Sequence, residues 1–143
     1  MKSIPQPSPL HPSLVHASPV RPAEWDYLMS AEDGFEAFAG FTTRFCFVGH
    51  SHRPGVWSIG SSGPVYEPGA GEIPLGRGRR YIVNVGSVGQ PRDRDPRAAY
   101  AVWDVDERRV TIRRVVYDVS AARRKIVAAR LPRFLAERLA LGA

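Results

Sequence analysis

Thiols, lysines and long apolar runs are what this 143-residue chain has least of. Its single cysteine, Cys46, excludes an internal disulfide. Cys46 lies inside a short apolar run and reads as a buried thiol acting as a small hydrophobe. Residues 46, 48 and 50 share a side on a regular strand, so a role for Cys46 as a metal ligand beside His50 is the less expected alternative. No stretch approaches the roughly 18 apolar residues of a membrane helix, and the N-terminus lacks a signal-peptide core, so a cytoplasmic protein is expected. Lys2 and Lys125 are the only lysines among 20 basic residues; the rest are arginine. A net charge of +6 raises the question of nucleic acid. The arginines are scattered, however, and cluster only as doublets such as Arg79–Arg80 and Arg113–Arg114. Beside abundant Ala, Pro and Gly, that pattern fits a compositional bias and a solvated surface. Nucleic acid is expected only as a substrate, and a basic nucleic-acid-binding protein is kept as the second alternative function.

What is present supports one domain with a real core, since 43% of the residues are hydrophobic. Prolines at 5, 7, 9 and 12 keep regular structure out of an irregular lead-in over 1–13. The domain is expected over 14–141. It opens with a short strand at Leu14–Val15 running into a loop that carries His16, Ser18 and Pro19. Pro22–Met29 reads as a short helix with proline in its first turn. Ser30 caps a second helix, with Glu32 and Asp33 near its positive end and Phe35, Phe38 and Ala39 at helical spacing. Trp25, Tyr27, Phe35 and Phe38 are expected to be core or rim packing. Strands follow at 45–48, 56–59 and 81–84. Between the last two lies a Gly-, Pro- and Ser-rich excursion over 60–78, read as a hairpin with a mobile tip, whose only strand candidate is Val65–Tyr66. Residues 99–104 and 110–116 make an antiparallel hairpin. Asp118 or Ser120 caps a helix to about Ala129, and Pro132 opens a last one with Phe134, Leu135 and Leu139 on one face.

Two stretches carry chemistry. After the buried strand Phe45–Val48, Gly49 turns the chain, and His50 and His52 follow with one residue between them. On an extended chain these imidazoles leave the strand side by side, at the carboxyl end where α/β proteins keep their chemistry. His16 alone reads as a hydrogen-bonded structural residue and gains weight from that pair. The second stretch is Asn84–Asp93, with Gly86 and Gly89 three apart, Ser87, and then Pro91-Arg92-Asp93. It is not a P-loop, because the Gly-Lys-Ser/Thr ending is absent. Read alone it is a structural turn; the alternative is a loop offering N–H groups and Arg92 to an anion. Arg92–Asp93 and Arg94–Asp95 read as surface ion pairs worth little.

Together, Val15–Pro19, Phe47–His52 and Val83–Asp93 resemble, in order, three motifs of the calcineurin-like metallophosphoesterases. The likeness is greatest to a small bacterial branch with His-Gly/Ala-Ser-Pro, Gly-His-Thr-His and Asn-Pro-Gly-Ser-Val-Gly-Gln-Pro-Arg, and it runs from about Leu14 to Leu139. The resemblance implies an α/β fold: the C-terminal half of a β-sandwich flanked by helices, with a mixed sheet, a C-terminal antiparallel hairpin and two terminal helices. It also implies a phosphoesterase in which a metal-activated hydroxide attacks a phosphodiester or phosphomonoester. His16 and His50 would bind one divalent ion of a dinuclear centre and His52 the other. Manganese, iron, zinc and nickel all suit neutral imidazole. Arg92, Ser87 and Asn84 are the candidates on the substrate side, the partner being a phosphorylated small molecule or a phosphodiester.

The family's Asp-x-His, its Gly-Asp with a bridging aspartate and its Gly-Asn-His do not occur in this sequence. Val85 replaces a proline, Arg94 a common glycine, and Ser51 a threonine. Three neutral imidazoles cannot bridge two divalent cations, so one weak mononuclear site and little or no activity alone are expected. A truncated gene, a mis-set start, or a piece needing its missing N-terminal half or a second copy would each produce this pattern. An unpaired sheet edge and exposed apolar surface go with it, and the first alternative is a noncatalytic remnant serving as an interaction or dimerisation module.

Overall fold

The computed structural model describes residues 11–69 and 71–143. Most of the lead-in expected over 1–13 lies outside the described residues. The strands are β1 (Ser13–Leu14), β2 (Phe45–Val48), β3 (Gly55–Ile59), β4 (Val65–Pro68), β5 (Gly71–Pro74), β6 (Arg80–Asn84), β7 (Ala98–Asp104) and β8 (Arg109–Val115). The α-helices are α1 (Ala31–Ala37), α2 (Val119–Ala128) and α3 (Arg133–Leu141). A five-stranded sheet has the order β1-β2-β6-β3-β4, and a three-stranded sheet the order β5-β8-β7. In the first, β1, β2 and β6 run parallel while β3 is antiparallel to both its neighbours. The second is antiparallel throughout. This is the mixed α/β half-sandwich with a C-terminal hairpin and two terminal helices that the resemblance implied.

Strand alternation divides the core. Phe45, Val56, Tyr81 and Val83 pack against Ile73, Val110 and Ile112 of the second sheet. Cys46, Val48, Trp57 and Ile82 point the other way and are covered by Ala37, Phe38 and Phe41. Ser30 caps α1 in a reciprocal box with Asp33, as its sequence suggested. Several scattered arginines staple strand ends. Arg80 donates to the carbonyls of Phe38, Phe41 and Thr43 and lies over the Phe41 ring, while Arg44 reaches the carbonyls of Gly76 and Arg79. Among the described residues no helix is long and apolar enough to cross a membrane.

Three expectations need correction. Only Pro22–Glu24 of the helix expected over 22–29 winds, as a single 3-10 turn. Trp25 then takes φ 59°, and the Ser18 N–H binds the Asp26 carbonyl at 3.0 Å, which draws the chain back toward the His16 loop. The excursion over 60–78 contains the expected hairpin, with β4 folding back on β3, but it then continues into an unexpected strand, β5, which crosses to the second sheet beside β8. On α3 the buried residues are Ala136 and Leu139, whereas Phe134 is 58% exposed.

Cys46 is completely buried, and burial pushes its thiol up to about 11. A protonated, shielded thiol is inert. A disulfide-exchange reagent at neutral pH is expected to leave the native protein unlabelled and to modify one thiol per chain after denaturation. Labelling of the folded protein at the denatured rate would show that this side of the core opens.

Candidate metal centre

The parallel ladder decides what meets at the rim of the first sheet. β1 lies on β2 with Ser13 opposite Cys46 and Leu14 opposite Phe47. Carried beyond the strands, this register lets the Gly49 N–H donate to the His16 carbonyl at 3.0 Å. His16 and His50 therefore stand side by side, with Nε2 of the first 3.1 Å from Nδ1 of the second. β6 follows on the far side of β2 with Asn84 opposite Val48, which brings the 84–93 loop to the same rim. Three parallel strands end together there, as at the ligand-binding edge of open α/β sheets.

His50 and His52 do not follow strand alternation. Both sit at φ 59°, a left-handed conformation costly for a residue with a Cβ, and the Ser51 N–H turns back to the Gly49 carbonyl at 2.7 Å. The extended chain expected to present the two rings is therefore replaced by a tight turn. His50 faces His16. His52 donates from Nδ1 to the Gln90 carbonyl at 2.8 Å; a carbonyl only accepts, so the neutral ring keeps its lone pair on Nε2. Burial holds the His52 pKa below the ordinary imidazole value; the Gln90 bond opposes that, and the charges of Arg92, His50 and His16 reinforce it. The neutral ring, the form that binds metals, is favoured at physiological pH.

Two ring nitrogens 3.1 Å apart have the spacing of two ligands on one ion at bonds of about 2.1 Å. As the rings stand, the two nitrogens share a hydrogen bond, and this chain offers two imidazole donors at that point. Among the described residues no three His, Cys, Asp or Glu side chains are grouped so as to hold a metal ion. Of the three imidazoles expected to converge, His16 and His50 are in direct contact, and His52 lies near enough for both to act on its protonation. Cys46 faces the core instead.

The 84–93 loop behaves mainly as scaffold. Asn84, expected on the substrate side, has no exposed surface. Its amide nitrogen donates to the Gly49 carbonyl at 2.9 Å and to Ser51 Oγ at 2.8 Å, while its oxygen accepts from the Gly86 N–H at 3.0 Å. It ties the two loops together. Ser87 Oγ accepts from the Gln90 N–H at 2.9 Å and closes a turn. Arg92 donates to Gln90 Oε1 at 2.9 Å, and its N–H to the His52 carbonyl at 3.2 Å. The expected Arg92–Asp93 and Arg94–Asp95 pairs give way to a partner from β8: Arg114, nearly buried, engages both aspartates. Asp95 also accepts from the Arg97 side chain, which chiefly holds its carboxyl at about 2.

Gly86 combines φ 78° with a site where a Cβ would lie 2.7 Å from the Ala99 Cβ. Gly86→Ala is expected to cost about 2 kcal/mol of stability, from a left-handed side chain plus contact strain. Urea denaturation reads it; a loss below about 0.5 kcal/mol would show that the loop adapts.

Trp25 and Tyr27, expected in the core or its rim, are the site residues that periodicity missed. They are 55% and 47% exposed. The Tyr27 ring stacks on His50 at 4.1 Å and 20°, and the Trp25 ring lies 5.1 Å from His16 and 5.7 Å from His50. Two large aromatics flanking one aspartate, a few residues after His16, were the available signal.

No protein-family model matches the chain. It is 41% identical over 129 residues to an uncharacterized protein of Methanocaldococcus jannaschii, covering 89% of this chain and 50% of that protein. Its structure resembles the crystal structure of a metallophosphoesterase from Sphaerobacter thermophilus, with a TM-score of 0.78 and 39% identity over 91% of this chain and 54% of that one. A hypothetical protein from Pyrococcus horikoshii shares the fold at a TM-score of 0.62 and 20% identity, over 91% and 46% of the two chains. The chain spans about half the length of the proteins it matches.

Proposed function

In fold and sequence the chain resembles the C-terminal half of a calcineurin-like metallophosphoesterase, and on that premise we propose that it is a metal-dependent phosphoesterase homologue acting on phosphodiesters or phosphomonoesters. The observation that carries this reading is the 3.1 Å approach of His16 Nε2 and His50 Nδ1 at the carboxyl ends of β1 and β2. These two residues would hold one divalent ion; manganese, iron, zinc and nickel all suit such a pair. A bound ion lowers the pKa of water and offsets charge on phosphoryl oxygens. His52 keeps a lone pair on Nε2 through its Gln90 bond and is the next donor available. Asn84 and Gly86 hold the two loops in register, and Arg92, whose N–H donates to the His52 carbonyl, is the cation of the 84–93 loop that would meet a phosphoryl group.

A second ion needs a bridging carboxylate, and no acid belongs to the described group. The chain alone is therefore expected to bind one ion and to turn over slowly or not at all. Calorimetric titration with manganese, iron, zinc and nickel, followed by hydrolysis of bis(p-nitrophenyl) phosphate, tests the proposal. One equivalent of ion, removed by chelator, supports it; failure to bind any of the four metals overturns it. Rapid turnover would refute the expectation of weak activity. A second reading, a noncatalytic interaction module, is favoured by β1 lying at a sheet edge with Leu14 75% exposed. Concentration-dependent dimerisation without metal binding, measured by analytical ultracentrifugation, would select it.

A further inference from the structure

We infer that Trp25 and Tyr27 form a stacking wall for a flat heteroaromatic group on the phosphoester, so that the substrate class is nucleotide-like; this rests on the phosphoester reading of the His16–His50 pair. Tyr27 lays one face on His50 at 4.1 Å, and half of the residue remains open to solvent. Trp25 meets His16 edge to face at 5.1 Å and is also more than half exposed. A phosphoryl group held at His16 and His50 therefore has two π-surfaces within about a ring's width, and its organic substituent would meet them first.

The wall is built in advance. Trp25 is held at φ 59°, a conformation a tryptophan adopts only when its surroundings impose it. Those surroundings are chiefly Pro22 in the 3-10 turn and the Ser18–Asp26 backbone bond; the exposed ion pairs from Arg21 to Glu24 at 2.8 Å and to Asp26 at 2.9 Å add little. Asp26, the one acid between the two rings, is thereby engaged by Arg21, which reduces its repulsion of a phosphate. A rigid aromatic surface loses little entropy on binding, and stacking of a base on such a surface is tolerant of base identity.

The test uses the manganese-loaded full chain, titrated calorimetrically with AMP and with ribose 5-phosphate, which share the phosphate and differ in the base. AMP is expected to bind on the order of tenfold tighter. Trp25→Leu and Tyr27→Leu should each bring the ratio toward one, whatever either does to the affinity for ribose 5-phosphate. Both residues lie in exposed loop, and thermal melting verifies folding of each variant. The ratio is the decisive readout, because a change in metal affinity alone moves both ligands equally. Equal binding of the two ligands, or a ratio unmoved in both variants, overturns the stacking wall while leaving the metal reading intact. A loaded chain that binds neither ligand, or a chain that cannot be loaded, overturns the phosphoester reading and this inference with it.

Discussion

His50→Ala is expected to weaken manganese or zinc binding by at least a hundredfold, and His16→Ala by a similar factor. Losing only a supporting hydrogen bond behind a metal ligand typically costs about 10–100-fold, so losing one of two ligands sets that as a floor. The two nitrogens sit 3.1 Å apart and act as one unit. The double variant should therefore bind scarcely worse than either single one, a non-additivity that distinguishes shared coordination from two independent weak contacts. His52→Ala is expected to have the smaller effect, because its Nδ1 is committed to the Gln90 carbonyl and only Nε2 remains to bind. Calorimetry on the wild type and the four variants provides the comparison. Additive losses, or a larger effect at His52 than at His50, would mean that the pair is not where the ion sits.

Trp57→Ala should be the most destabilising single change in the described core, at about 4 kcal/mol. Trp57 is 1% exposed between the first sheet and α1, stacks on Tyr66 at 4.7 Å, and donates its Nε1 proton to the Ser30 carbonyl at 3.0 Å. Against a total stability of about 5–15 kcal/mol, such a loss leaves little margin. Trp57→Phe retains much of the apolar burial and drops the hydrogen bond, so roughly 1–2 kcal/mol is expected of it. Gly34 explains the tightness of the fit: a Cβ there would fall 2.1 Å from Trp57 Nε1. Gly34→Ala should accordingly be severe in the wild-type background and mild alongside Trp57→Ala, a coupling that guanidinium unfolding of the four proteins measures. Independent, additive losses would show that α1 is not seated on this indole.

Legibility of the fold tracked how local each signal was. The buried strands around Phe45–Val48 and Tyr81–Asn84, the hairpin of β7 and β8, and the Ser30 cap are set by neighbouring residues, and those readings agree with the structure. β5 escaped notice because it is a four-residue strand bounded by Gly71 and Pro74 whose partner is distant: Ile73 pairs with Val110. The turn at Trp25 escaped for a related reason. Proline and acidic residues favour a helix start, but the bond from Ser18 fixes a different path.

The same division runs through the site. Residue types and their order along the chain were enough to nominate His16, His50, His52 and the 84–93 loop, because histidines at strand ends carry that chemistry wherever the fold puts them. Which imidazoles meet was settled by the register of β1 on β2 and by the left-handed turns at 50 and 52, which a buried Asn84 holds through bonds to Gly49 and Ser51. Side-chain alternation describes an extended chain, and it lapses where long-range hydrogen bonds impose a positive φ. The aromatic neighbours of the pair, and the Arg114 grip on Asp93 and Asp95, likewise exist only once segments distant in sequence are packed together.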